Sequence, residues 1–159
     1  MRIAMGVFLL FGGLAAIAKP LTASDIMKSS FCKEYACDNT SAFKDKEGQI
    51  SMQMRLAKDP LNLDLLIILD GQNLKSLTFR FQNDESKVDR KALVSLLTFL
   101  LGHTPNSQIV DKIVAEAVVK TKKEELLAKE AVPLEALFLR SGNVLKKPTI
   151  LIDYQSGQN

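Results

Sequence analysis

Cys32 and Cys37 are the residues of this sequence whose chemistry is most clearly defined. They are the only two cysteines among the 159 residues. Residues five apart in a continuous α-helix have Cα atoms roughly 8 to 9 Å apart, which is beyond the reach of a disulfide. We therefore predict a structural Cys32–Cys37 disulfide and a helix that ends before Cys37. A redox-active pair usually has Cys-X-X-Cys spacing, whereas four residues intervene here.

The single histidine, His103, lies in a Gly102-His103-Thr104 corner between two predicted helices. A histidine at a helix end more often stabilises the helix terminus than acts as a base. The sequence has no Gly-X-Ser-X-Gly elbow, no Gly-rich phosphate loop and no zinc-ligand spacing, and Asp45 with Glu47 and Gly48 is only a fragment of a calcium loop. We therefore predict no catalytic residue, no metal site and no cofactor.

Arg55 and Arg80 are the candidate binding residues. Each falls on the polar side of a predicted strand, Arg55 with Gln53 and Arg80 with Thr78. Such a polar sheet face can bind an anion or an acidic segment of a partner protein, provided that the two strands are neighbours. The alternative is an ordinary solvated sheet surface.

The strands that carry these residues are organised around a predicted hairpin at positions 61–82. Two β-rich runs flank the turn signal Asp70-Gly71-Gln72-Asn73. The first run is apolar on nearly both sides, which is typical of an inner strand. The second run alternates Leu77, Phe79 and Phe81 with polar residues, as in a strand that has one dry and one wet face.

The remaining pattern predicts an α+β fold with the element order α-β-β-β-α-α-β-β. We expect a mostly antiparallel sheet of about five strands with a helical hairpin packed on one face. Outside the central hairpin, the predicted elements are a helix over Thr22–Tyr35, a strand over Ile50–Leu56, helices over Val88–Leu101 and Pro105–Lys120, and strands over Leu134–Arg140 and Thr149–Tyr154. A turn at Ser141-Gly142-Asn143 joins the last two strands, and Ile50–Leu56 or Thr149–Tyr154 is expected to form an exposed edge.

The N-terminal stretch has the three parts of an export signal. Arg2 precedes an uncharged run, Ile3 to Ile17, and the small residues Ala16 and Ala18 suit a cut after Ala18. A cut after Ala23 is an alternative. The run is shorter than the roughly 20 apolar residues that span a bilayer, so an uncleaved membrane anchor is the less favoured interpretation. We predict a signal peptide at 1–18 and one domain at 19–159.

These observations together favour a small non-enzymatic protein, periplasmic or secreted, that binds a protein or small ligand as an accessory of the cell envelope. A net charge of +3 with interspersed signs, and the absence of Trp, argue against nucleic-acid binding. No stable membrane span is expected after cleavage. The alternatives are a hydrolase that uses carboxylates assembled in the fold, and the same domain kept as a membrane-anchored protein.

Overall fold

The computed structural model of the protein describes residues 20–58, 63–81 and 87–155. The predicted signal peptide lies outside these residues. The helices are α1 (Ala23–Lys28), α2 (Ser30–Tyr35), α3 (Lys87–Leu101) and α4 (Ser107–Lys122). The strands are β1 (Cys37–Lys44), β2 (Gln49–Leu56), β3 (Leu63–Asp70), β4 (Asn73–Arg80), β5 (Val132–Leu134), β6 (Leu137–Val144) and β7 (Lys147–Tyr154).

The strands form a single antiparallel sheet in the order β1-β2-β3-β4-β7-β6-β5. The α+β class is therefore confirmed, but the expected count of about five strands is wrong, because the described sheet has seven. The additional strands are β1, within a segment too polar to be recognised, and the three-residue β5.

The central hairpin is confirmed. β3 and β4 pair with Leu65 opposite Phe79 and Ile67 opposite Leu77. Gly71 has a φ of 59° at the first position of the two-residue turn, where glycine avoids the steric cost of a left-handed backbone. β3 lies between β2 and β4, as its apolar faces predicted.

Successive side chains of each strand lie on opposite faces of the sheet, which we call the core face and the open face. The residues of the core face are fully or almost fully buried, whereas most residues of the open face are partly exposed. Ser76, Gly142 and Thr149 are the buried exceptions on the open face. The core-face residues of the central strands are Met54, Leu65, Ile67, Leu77, Phe79, Leu139, Ile150 and Ile152. They share one hydrophobic core with buried residues of all four helices, so these helices cover one face only. α3 lies beside α2, whereas α4 lies on β6 and β7.

The predicted helix over Thr22–Tyr35 is two helices separated at Ser29. Ser29 has an extended backbone, and its hydroxyl accepts a hydrogen bond from the Cys32 amide at 3.0 Å, which caps α2. Thr22 and Asp25 form a capping box at the start of α1. The Leu74 amide of β4 donates to the Leu21 carbonyl at 2.6 Å, so the chain is attached to the sheet from Leu21 onwards.

The turn predicted at Ser141-Gly142-Asn143 is wrong, because these residues are buried within β6. A side chain at Gly142 would meet the Leu127 backbone, with a Cβ only 2.7 Å from the Leu127 nitrogen. This glycine therefore permits close packing rather than a turn. The actual β6–β7 turn is Leu145-Lys146, with φ angles of 55° and 61°.

The predicted edge strands are also wrong. The strands at Gln49–Leu56 and Lys147–Tyr154 both have neighbours on each side, and the described sheet ends at β1 and β5. β5 is protected as an edge by its length of three residues and by Pro133. β1 is eight residues long and exposed from Asp38 to Lys44.

Candidate functional site: the open face of the sheet

The Cys32–Cys37 disulfide is confirmed. Cys32 is buried in α2, and Cys37 is the first residue of β1. Between them Ala36 adopts a left-handed backbone with a φ of 50°, which ends the helix and brings the two Cα atoms to 4.8 Å. The bond therefore links the helical corner to the outermost strand of the sheet. A disulfide of this kind is compatible with an oxidising compartment.

Arg55 and Arg80 both lie on the open face, but their strands are not neighbours. β3 separates them, and its Asp64 stands between them as the register partner of Arg55. The Arg80 guanidinium donates to the Asp64 carboxylate at 3.3 Å. Arg55 is exposed, and its guanidinium forms no ion pair with any residue in the described ranges. The two arginines therefore flank one carboxylate instead of converging on a shared anion.

A second ion pair lies on the same face, between Arg140 of β6 and Asp153 of β7. Its nitrogen and oxygen are 2.7 Å apart, and both side chains are about one-third exposed. Surface ion pairs of this kind usually contribute little to stability. Their effect here is to leave opposite charges interspersed over the face, which does not favour a partner of one particular charge.

Two pairs of apolar side chains occupy the middle of the open face, and we call them the open-face apolar pairs. One pair is Leu66 and Ile68 of β3; the other is Phe138 of β6 with Leu151 of β7. All four side chains are partly exposed and lie outside the hydrophobic core. Ser76 and Thr78 of β4 separate the two pairs.

The sequence pattern indicated Leu66 and Ile68 but not the second pair. Phe138 and Leu151 come together only through the β6–β7 register, in which Phe138 lies opposite Asp153 and Arg140 opposite Leu151. That register depends on the turn at Leu145-Lys146, which has no residue typical of turns. Because the sequence did not indicate this turn, it did not indicate the second apolar pair.

His103 lies away from the open face, between α3 and α4. Its Nε2 is 2.9 Å from the Glu135 carboxylate, at the turn that joins β5 to β6. The hydrogen bond to Glu135, a further contact with the Thr104 carbonyl and the negative charge of Glu135 together raise the pKa of His103 above 6.5. These contacts stabilise the imidazolium form of His103 and connect the α3–α4 corner to the β5–β6 turn.

Tyr35 is a buried titratable side chain on the core side. It packs against Phe31 with ring centroids 5.3 Å apart, and the Lys58 ammonium lies 5.5 Å from its ring. Burial, followed by the negative charge of Glu34, raises the pKa of Tyr35 to about 12. The phenol is therefore neutral at physiological pH and acts as a packing group.

The described ranges contain neither a cluster of metal-ligating residues nor a membrane-spanning helix. No group of three or more His, Cys, Asp or Glu residues there is placed to hold a metal ion. No helix there is both long enough and apolar enough to cross a membrane. Comparison with known proteins finds no match to this chain among protein-family models, curated proteins or solved structures.

Proposed function

We propose that this chain is an exported, non-enzymatic accessory protein of the cell envelope, periplasmic or secreted, that binds a protein or small ligand through the open face of its sheet. The observation that carries the proposal is the presence of the open-face apolar pairs, four partly exposed side chains that lie outside the hydrophobic core. An apolar centre with a polar surround is the usual anatomy of a protein-binding surface. The disulfide supports passage through an oxidising compartment.

The contacts of the first described residues support a cut after Ala18 over a cut after Ala23. A cut after Ala23 would fall within α1 and remove both the Thr22 cap and the Leu21 hydrogen bond to β4. A cut after Ala18 leaves these contacts intact. The mature chain therefore begins at Lys19 in this proposal.

Export is tested by expressing the full sequence in a bacterium and determining the N-terminus and mass of the protein recovered outside the cytoplasm. We expect a chain that starts at Lys19 and has no alkylatable thiol before reduction. A start at Ser24 would show that export is right and the proposed cut wrong. A start at Met1 would support the membrane-anchored form instead.

Binding through the open face is tested by photo-crosslinking in the producing cells. A benzophenone amino acid replaces Phe138 on the open face or, as a control, Val119, which is 49% exposed on α4. We expect adducts from position 138 that disappear when Leu151→Asp is added, and none from position 119. Adducts from position 119 alone, or none from position 138, would refute binding through this face.

The hydrolase alternative requires two buried carboxylates in one site. Among the described residues, Asp89 is the only acidic side chain that is buried. No observation therefore favours that alternative over binding.

A further inference from the structure

Ser141 and Asn143 are two polar side chains of β6 that belong to the core face of the sheet. Ser141 lies opposite Ile150 and Asn143 opposite Pro148. Ser141 is fully buried and Asn143 is 9% exposed. Neither the Ser141 hydroxyl oxygen nor the Asn143 amide oxygen Oδ1 has a hydrogen-bond partner among the described residues.

An unpaired polar atom in this position is costly, because it has lost its hydrogen bonds to solvent without replacing them. The surroundings offer little compensation. Leu139 and Ile150 are fully buried next to Ser141, and α4 covers β6 and β7 from the core side. Buried polar atoms in folded proteins are nearly always paired, either with protein groups or with ordered water.

The spacing of the two residues suits one shared partner. Residues two apart on one strand face have Cα atoms roughly 6.6 to 6.8 Å apart. A molecule that makes a hydrogen bond of about 2.8 Å to each side chain spans up to roughly 5.6 Å between them. The Cα separation exceeds this span by only about 1 Å. One molecule can therefore reach both side chains if they lean slightly towards each other.

We propose that Ser141 and Asn143 form a binding site for one buried water molecule beneath α4. The water donates to Asn143 Oδ1 and exchanges a second hydrogen bond with the Ser141 hydroxyl, which can donate or accept. The two groups are neutral, so the site suits a neutral molecule rather than an ion. A polar site with at least two partners is the kind that retains internal water.

The sign of a stability change tests the proposal. Ser141→Ala removes a satisfied hydroxyl if water is bound, and we expect the Tm to fall by about 3 °C. An unchanged or higher Tm would overturn the proposal, since deleting an unpaired hydroxyl relieves its burial cost. The matched control is Ser41→Ala on the exposed strand β1, for which we expect no shift.

A double-mutant cycle tests whether the two side chains share one molecule. Asn143→Leu alone should also lower the Tm, whereas Ser141→Ala combined with Asn143→Leu should cost less than the two single changes together. Additive losses would contradict a shared water. A high-resolution crystal structure of the unaltered protein should show one ordered water within hydrogen-bond distance of both oxygens, and an empty or apolar gap there would refute it.

Discussion

Contacts made in the folded state change the pKa values of ionisable side chains in this protein. His103 is the clearest case, because a histidine next to a helix end in sequence is found bonded to Glu135, 32 positions further along the chain. Its pKa is raised, so the folded state holds the proton more tightly than the unfolded state. The resulting stabilisation is fully present below the unfolded pKa of about 6.5 and is lost as the pH rises through the folded pKa.

The His103 prediction can be checked by an NMR titration of its ring protons, which needs no assignment because the chain has one histidine. We expect an apparent pKa above 6.5 that falls towards the ordinary value in Glu135→Gln. Glu130→Gln removes another exposed acid and should leave the titration unchanged. An unshifted pKa in the unaltered protein would contradict the observed contact.

At the level of elements, the structure departs from the sequence pattern where tertiary packing overrides local preference. The alternation of Leu77, Phe79 and Phe81 correctly predicted β4 because one face is buried and the other is not. β1 was missed because both of its faces are exposed, which leaves no alternation to detect. Gly142 was misread because the backbone that requires a glycine there, at Leu127, is distant in sequence.

The same reasoning separates the parts of the candidate site that were predictable from those that were not. Arg55 and Arg80 were correctly placed on one polar face, because the two-residue period of a strand defines that face. Their separation by Asp64 follows from strand order, which the pattern of one strand does not contain. Whether they bind a ligand stays a prediction.

The β6–β7 turn allows a test at this scale. Leu145 and Lys146 both have positive φ, a conformation that favours Asn-Gly in two-residue hairpin turns. Replacing them together by Asn and Gly should raise the free energy of unfolding by about 1 kcal/mol, measured by urea denaturation.

Leu126→Asn is the matched control for that change. Leu126 is 80% exposed, so this variant removes a solvent-facing leucine from a residue whose φ is not positive. It should leave the free energy of unfolding unchanged. An equal gain in the control would show that relief of backbone strain is not the cause of the gain in the turn variant. No gain in the turn variant would show that the positive φ angles at this turn do not destabilise the protein.

At the scale of the whole molecule, the sheet consists of two meanders joined along one line. β1 to β4 form the first, β5 to β7 form the second, and the ladder between β4 and β7 connects them. β3, β4 and β7 lie in the middle of the sheet, whereas β1 and β5 at its ends have one neighbouring strand each. Local stability should therefore decrease from the central strands to the two end strands.

Hydrogen exchange measured by mass spectrometry tests this gradient. We expect the slowest exchange in β3, β4 and β7, whose neighbouring strands are themselves paired on both sides, and the fastest strand exchange in β1, which is paired on one side only. Reduction of the Cys32–Cys37 bond should accelerate exchange in β1 more than in β7, because the bond is attached to the first residue of β1. Protection of β1 equal to that of β3 would contradict the described strand order.

The position of β7 also has a consequence for protein synthesis. Arg80 pairs with Thr149, so the middle of the sheet is completed only by β7, which follows β4 after two helices and two further strands. A nascent polypeptide therefore lacks this central ladder until β7 has been synthesised.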